Sequence, residues 1–205
     1  FLSPQTVAEA VANPEHARRL LSCGRPLPLT LMAIMDDDGR LLPDDEHGEI
    51  VMRSNQVMRG FVDNPEATAA CSTFGWHHTS DIGYRDASGF YYIVDRKRDL
   101  IISGGFNVYP SEIEQVIWSH PAVQDCAVIG VPDERWGEAV KAVVLLKPGV
   151  QVSEAELIAL CKSRVGSLKA PKTVEFWPEL PRSAVGKVLK RSIRERYWAS
   201  IDRKI

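Results

Sequence analysis

The chain has 205 residues, 44% of them hydrophobic, with 25 Lys plus Arg against 27 Asp plus Glu and a formal net charge of −2. That length holds one large domain or two small ones, each with its own core, and the near balance of charge excludes a surface built to coat nucleic acid. No apolar run approaches the roughly 20 residues of a membrane span, and Phe1 to Ala10 lack the basic and apolar stretches of a secretion signal.

Cys23, Cys71, Cys126 and Cys161 form no C-x-x-C pair. Such scatter is expected of reduced core thiols in a cytoplasmic protein, and no metal site or disulfide framework is predicted. The opening Phe1-Leu-Ser-Pro lacks Met, so further upstream polypeptide is expected.

Gln5 to Leu21 reads as a short helical or irregular segment broken at Asn13-Pro14, and Gly24 to Pro28 as loop. Leu29 to Met35, the Asp36 to Gly39 turn, Arg40 to Leu42, an acidic loop and Gly48 to Arg53 predict β-hairpins. Asn64 to Ala70 predicts a short helix with Pro65 at its first position, where a missing N–H costs nothing. Trp76 to Gly83 is extended, Asp86 to Gly89 turns, and Phe90 to Val94 is a strand.

After Asp99 the pattern changes to alternating strands and helices. Leu100 to Ile102 is a short strand running into the Ser103-Gly104-Gly105-Phe106-Asn107 loop, and Ser111 to Glu114 has the spacing of a capping box. Its helix places Ile113, Val116 and Ile117 on one face and stops at His120-Pro121. Val123 to Val131 and Ala139 to Leu146 are apolar strands, and Ser153 to Glu156 is a second capping box before an amphipathic helix. Thr173 to Trp177 predicts a strand and Val188 to Trp198 a last helix. This is α+β: a β-rich first part, then a small mixed unit with a three-stranded core and packed helices. The boundary is expected at the charged turn Arg96 to Asp99.

Several residues are candidates for chemistry. An ionised Asp81 can accept hydrogen bonds from both hydroxyls of a sugar diol, and the fork of donors on Arg96 can hold the same sugar; a surface ion pair reads equally well. Gly104 and Gly105 permit positive φ or close backbone approach, as a tight turn also would. Lys187, after Gly186 in a loop, can act as a mobile point charge on a transferring phosphoryl group. Trp136 is either a cap on the core or a surface for a ligand. Adjacent His77 and His78 face opposite ways on a strand and make a poor joint metal site. There is no G-x-x-x-x-G-K-[ST] phosphate loop.

Taken together, the ordered motifs Gly48-Glu-Ile-Val, Asn64-Pro-Glu-Ala-Thr68, Trp76-His-His-Thr-Ser-Asp81, Asp95 to Glu114 and Pro181 to Arg191 resemble the C-terminal part of an acyl-CoA synthetase. The wider family is the adenylate-forming enzymes. The resemblance implies that residues 1–96 are the last, β-rich part of a large adenylation domain and residues 97–205 a mobile small domain hinged at Arg98. It implies that Asp81 and Arg96 hold the ribose of ATP or an acyl-adenylate, although Thr79-Ser80-Asp81 departs from the usual Thr-Gly-Asp. Lys187 is implied as the adenylating lysine. Gly104 and Gly105 would lie beside the pantetheine thiol, with Trp136 lining the coenzyme A path and Lys172 near its nucleotide.

The implied activity is ATP-dependent formation of an acyl-adenylate and acyl transfer to coenzyme A. The implied Mg2+ ligands, phosphate loop and acyl pocket belong to an N-terminal region upstream of Phe1, without which the chain is expected to be inactive. Peptide-synthetase and luciferase-like branches share these motifs, and a non-catalytic nucleotide- or coenzyme A-binding module is the rival of another class. A homodimer is left open.

Overall fold

Alternation of apolar and polar residues in the first half builds a four-stranded antiparallel meander. The computed structural model describes residues 2–199, in two compact units that part between Arg98 and Asp99. In the first, α1 (Pro4–Ala12) starts at Ser3, whose Oγ accepts the Thr6 N–H at 3.1 Å, and a 3₁₀ turn follows over Pro14–Leu21. Strands β1 (Leu31–Met35), β2 (Gly48–Arg53), β3 (His77–Arg85) and β4 (Tyr91–Arg96) pair in that order, with α2 (Pro65–Ala70) between β2 and β3.

Ile34, Ile50 and Tyr91 form the core of this sheet with Met32 and Leu42, and the Tyr91 hydroxyl donates to the Met32 carbonyl at 2.6 Å. Arg40 to Leu42 adds only a bridge from Leu41 to Met35, because Asp36 Oδ1 takes the N–H groups of Asp38 and Arg40 and closes the turn. α2 forms as its sequence predicts: Asn64 Oδ1 accepts from Ala67 N–H, and Pro65 opens the helix.

Register is interrupted twice near the end of β3. β2 slips against it between Glu49 and Val51, and β4 slips between Asp95 and Ile93. These bulges turn the strand where the first candidate residues lie.

The second unit contains β5 (Ile101–Ser103), β6 (Phe106–Val108), α3 (Pro110–Trp118), β7 (Val123–Asp133), β8 (Gly137–Leu146), α4 (Glu154–Lys169), β9 (Thr173–Phe176) and α5 (Lys190–Trp198). β7 and β8 form the long central hairpin, β9 runs parallel to β8, and the short β5–β6 hairpin joins through Ser103 and Gly137. The expected three-stranded core is therefore extended to five strands. The segment read as a glycine loop is a two-residue turn, Gly104 φ +59 and Gly105 φ +83, which brings Phe106–Val108 back along Ile101–Ser103.

Both faces of this sheet are buried, which explains the nearly unbroken apolar runs of β7 and β8. Cys126, Val128, Val140, Ala142 and Val144 face α3 and α4 through Ile113, Ile117, Leu157 and Cys161. Ala127, Ile129 and Val143 face Ile193 of α5.

The capping box expected at Ser111 does not form. Pro110 takes the first helical position, so the helix starts one residue earlier with Tyr109 at its cap and no side-chain cap bond. Glu114, its predicted partner, is 5% exposed and bonds across the unit to Val128 N–H at 2.8 Å and to Lys190. The second box is half realised: Ser153 Oγ accepts from Glu156 N–H at 3.2 Å.

Candidate functional site

In the first unit, Asp81 and Arg96 are register partners on β3 and β4, and Arg96 Nη1 lies 2.8 Å from Asp81 Oδ1. Asp81 is largely buried while Arg96 is half exposed, so the carboxylate is fixed and the guanidinium faces outward. The pair presents both acceptors and donors from adjacent strands. Ser80, where a glycine is usual, has φ +61 and its backbone N–H points at Glu49 Oε1, 2.9 Å away.

Glu49 was not foreseen from the sequence. It is 5% exposed, and its Oε2 accepts from His78 Nδ1–H and from Lys97 Nζ, each at 3.0 Å. Burial works against its charge, but His78, Lys97 and the Ser80 amide outweigh that and hold the carboxyl below the ordinary glutamate range. Lys97 also meets Asp37 at 2.7 Å. The cluster borders a cleft of about 500 Å³ that Phe61, Phe74 and Ser80 also line. The signal was a lone carboxylate on β2 two positions before Val51, which is fully buried.

Arg98 lies in the 3₁₀ turn Lys97–Asp99, on the exposed side of that turn.

In the second unit, Gly104, Trp136 and Lys172 come together. Gly104 N–H donates to the Trp136 carbonyl at 2.8 Å, and a Cβ at Gly104 would stand 2.5 Å from Trp136 Cε3, so the indole occupies the space that the missing side chain leaves. Lys172 Nζ sits 5.6 Å from the centre of the Trp136 ring and donates to the Ser167 carbonyl at 3.2 Å. Trp136 and Lys172, with Ser103, Ser167 and Leu168, line a cavity of about 380 Å³. Gly105 has no atom within 4 Å of its would-be Cβ.

Lys187 does not line that cavity. It stands exposed on a tight loop in which Ser183 N–H donates to the Lys187 carbonyl at 2.8 Å, Gly186 takes φ +82, and Arg182 bridges to Val188. The base of the loop is held at both ends: Arg182 pairs with Asp125 on β7, and Lys190 pairs with Glu114 on α3 at 2.8 Å. The result is a loop braced at its base that carries the exposed Lys187 at its tip.

Among the described residues no group of three or more His, Cys, Asp or Glu side chains is arranged to hold a metal ion. No described helix is long and apolar enough to cross a membrane.

The sequence matches the AMP-binding enzyme family over residues 3–62 and the AMP-binding enzyme C-terminal domain over residues 112–187. A long-chain-fatty-acid–CoA ligase of Bacillus subtilis is 48% identical over 175 residues, covering 85% of this chain and 31% of that protein. The structure of ATP-bound MatB from Rhodopseudomonas palustris superposes with TM-score 0.81 at 37% identity over 86% of this chain and 36% of that one. The o-succinylbenzoate CoA synthetase MenE of Bacillus subtilis, in complex with its acyl-adenylate, gives TM-score 0.80 at 39% identity over 89% and 37%. The chain thus spans about a third of the length of the proteins it matches.

Proposed function

The chain belongs to the AMP-binding, adenylate-forming enzyme family, and from that premise we propose that it serves an AMP-forming acyl-CoA synthetase. Such an enzyme converts a fatty or aromatic carboxylic acid and ATP to an acyl-adenylate and pyrophosphate, then passes the acyl group to coenzyme A. The observation that carries this reading is the Asp81–Arg96 pair on adjacent strands, in a chain that also presents Lys187 on a braced glycine loop.

Asp81 accepts hydrogen bonds from the two ribose hydroxyls, and Arg96 donates to the same nucleotide. Lys187 supplies a positive charge to the carboxylate and α-phosphate as negative charge builds there, with no proton transfer. The second unit turns about Arg98 between the two half-reactions, so that Lys187 serves adenylation and the Gly104–Trp136–Lys172 surface serves thioester formation.

Lys187→Ala tests the proposal in the polypeptide that carries this chain. Pyrophosphate exchange is expected to fall by about 10²–10³-fold, the scale of losing one stabilising charge in a transition state. Thioester formation from supplied acyl-adenylate should stay within about threefold. Equal loss in both half-reactions would exclude a role for Lys187 confined to adenylation.

A further inference from the structure

Glu49 reaches both sides of the Asp81–Arg96 pair without belonging to it. Oε1 accepts the N–H of Ser80, the residue before Asp81, at 2.9 Å. Oε2 accepts from Lys97, the residue after Arg96, at 3.0 Å, and from His78 on the same strand as Ser80. One carboxylate on β2 therefore ties the bulged part of β3 to the end of β4.

The strand ladder does only part of that job. β2 slips against β3 across Ser80 and Asp81, Ser80 leaves the extended region at φ +61, and β4 slips directly after the Asp81–Arg96 and Ile82–Asp95 pairs, so the ladder that holds Asp81 beside Arg96 is short and interrupted on both sides. A 5% exposed carboxylate is also a costly way to fill space, since an apolar side chain of similar volume needs no partners. Two of its donors, Ser80 and His78, lie on β3 and the third, Lys97, directly follows β4, and every one lies within three residues of Asp81 or Arg96.

We infer that Glu49 is a positioning residue: it fixes the spacing of Asp81 and Arg96 and so presets the pair for a nucleotide's vicinal diol. The diol rests on the function proposed above; the spacing does not.

The test measures rotation about the Nε–Cζ bond of Arg96 by nitrogen NMR on the 205-residue chain. Glu49→Gln keeps the volume but turns an NH₂ toward Lys97 and His78. It is expected to speed Arg96 rotation by at least about fivefold while the remaining amide spectrum stays in place, because the guanidinium loses its fixed carboxylate partner. Glu49→Asp, which keeps the charge, is expected to restore part of the restriction. Lys97→Met removes one donor without emptying the buried site and carries the test if Glu49→Gln does not fold. Wild-type rotation in the folded variants overturns the inference.

In the polypeptide that carries this chain, Glu49→Gln is further expected to raise KM for ATP about tenfold with kcat within about threefold. Faster rotation with an unchanged KM would leave Glu49 as the positioner of the pair and overturn its nucleotide role.

Discussion

Ser80 is one of the non-glycine residues of the first unit held at positive φ, with Leu29, Asp45, Asp63 and Phe74, and the one that adjoins Asp81. A side chain in the left-handed region costs about 1–2 kcal/mol, whereas glycine loses about 0.5–1 kcal/mol through its freer unfolded chain. Ser80→Gly is therefore expected to be neutral or to stabilise the first unit by up to about 1 kcal/mol, and Ser80→Val to destabilise it by more than about 1 kcal/mol. Urea unfolding read from the first unit checks both; equal losses would show that the hydroxyl, not the backbone, holds the bulge. Asp81 and Arg96 were legible because each sits in a motif of its own. Glu49 was not, since its bonds to Ser80 and Lys97 span 31 and 48 residues and only the folded sheet brings them together.

The β5–β6 hairpin gives two neighbouring glycines different tasks. Gly104 needs both its positive φ and the absence of a Cβ, because Trp136 fills the space; Gly105 needs only its φ. Gly104→Ala is expected to displace the indole, change its fluorescence and cost about 2–4 kcal/mol by adding overpacking to backbone strain. Gly105→Ala should cost about 1–2 kcal/mol with the indole unmoved, and matching spectra for the two variants would contradict this division. The elements that were legible are the long patterns of β7, β8, α4 and α5 and the shorter β2, α2 and β9, which turn and cap residues delimit. β6 was missed because three residues after a Gly-Gly read as loop, although paired glycines between two extended runs are also a hairpin signal. The Ser111 box failed because Pro110 competed for the same turn and its preference for the first helical position prevailed.

For the whole molecule, the chemistry proposed for Lys187 and for the Gly104–Trp136 surface requires a pivot at Arg98. Arg98→Pro would stiffen the Lys97–Asp99 turn. In the polypeptide that carries this chain it is expected to leave adenylation within about threefold and to lower thioester formation at least about tenfold; unchanged thioester formation would remove Arg98 from that role. The mixed α+β character was legible because strand and helix periods alternate after Asp99. The joining of a short hairpin to a long one was not, since a single register pair, Ser103 with Gly137, makes that link.

The burial of the second sheet on both faces has a practical consequence. Cys126 and Cys161 lie inside it, and desolvation pushes the first thiol far above its usual range and the second up to about 11; Cys23 in the first unit is an exposed residue, although burial of its thiol, which donates to the Tyr91 carbonyl, raises it too. Thiolates are the reactive form, so alkylation at Cys126 and Cys161 must wait for that unit to open. Mass spectrometry of a single alkylation time course therefore reads the lifetime of the second unit at Cys126 and Cys161 beside the accessibility of Cys23 in the first.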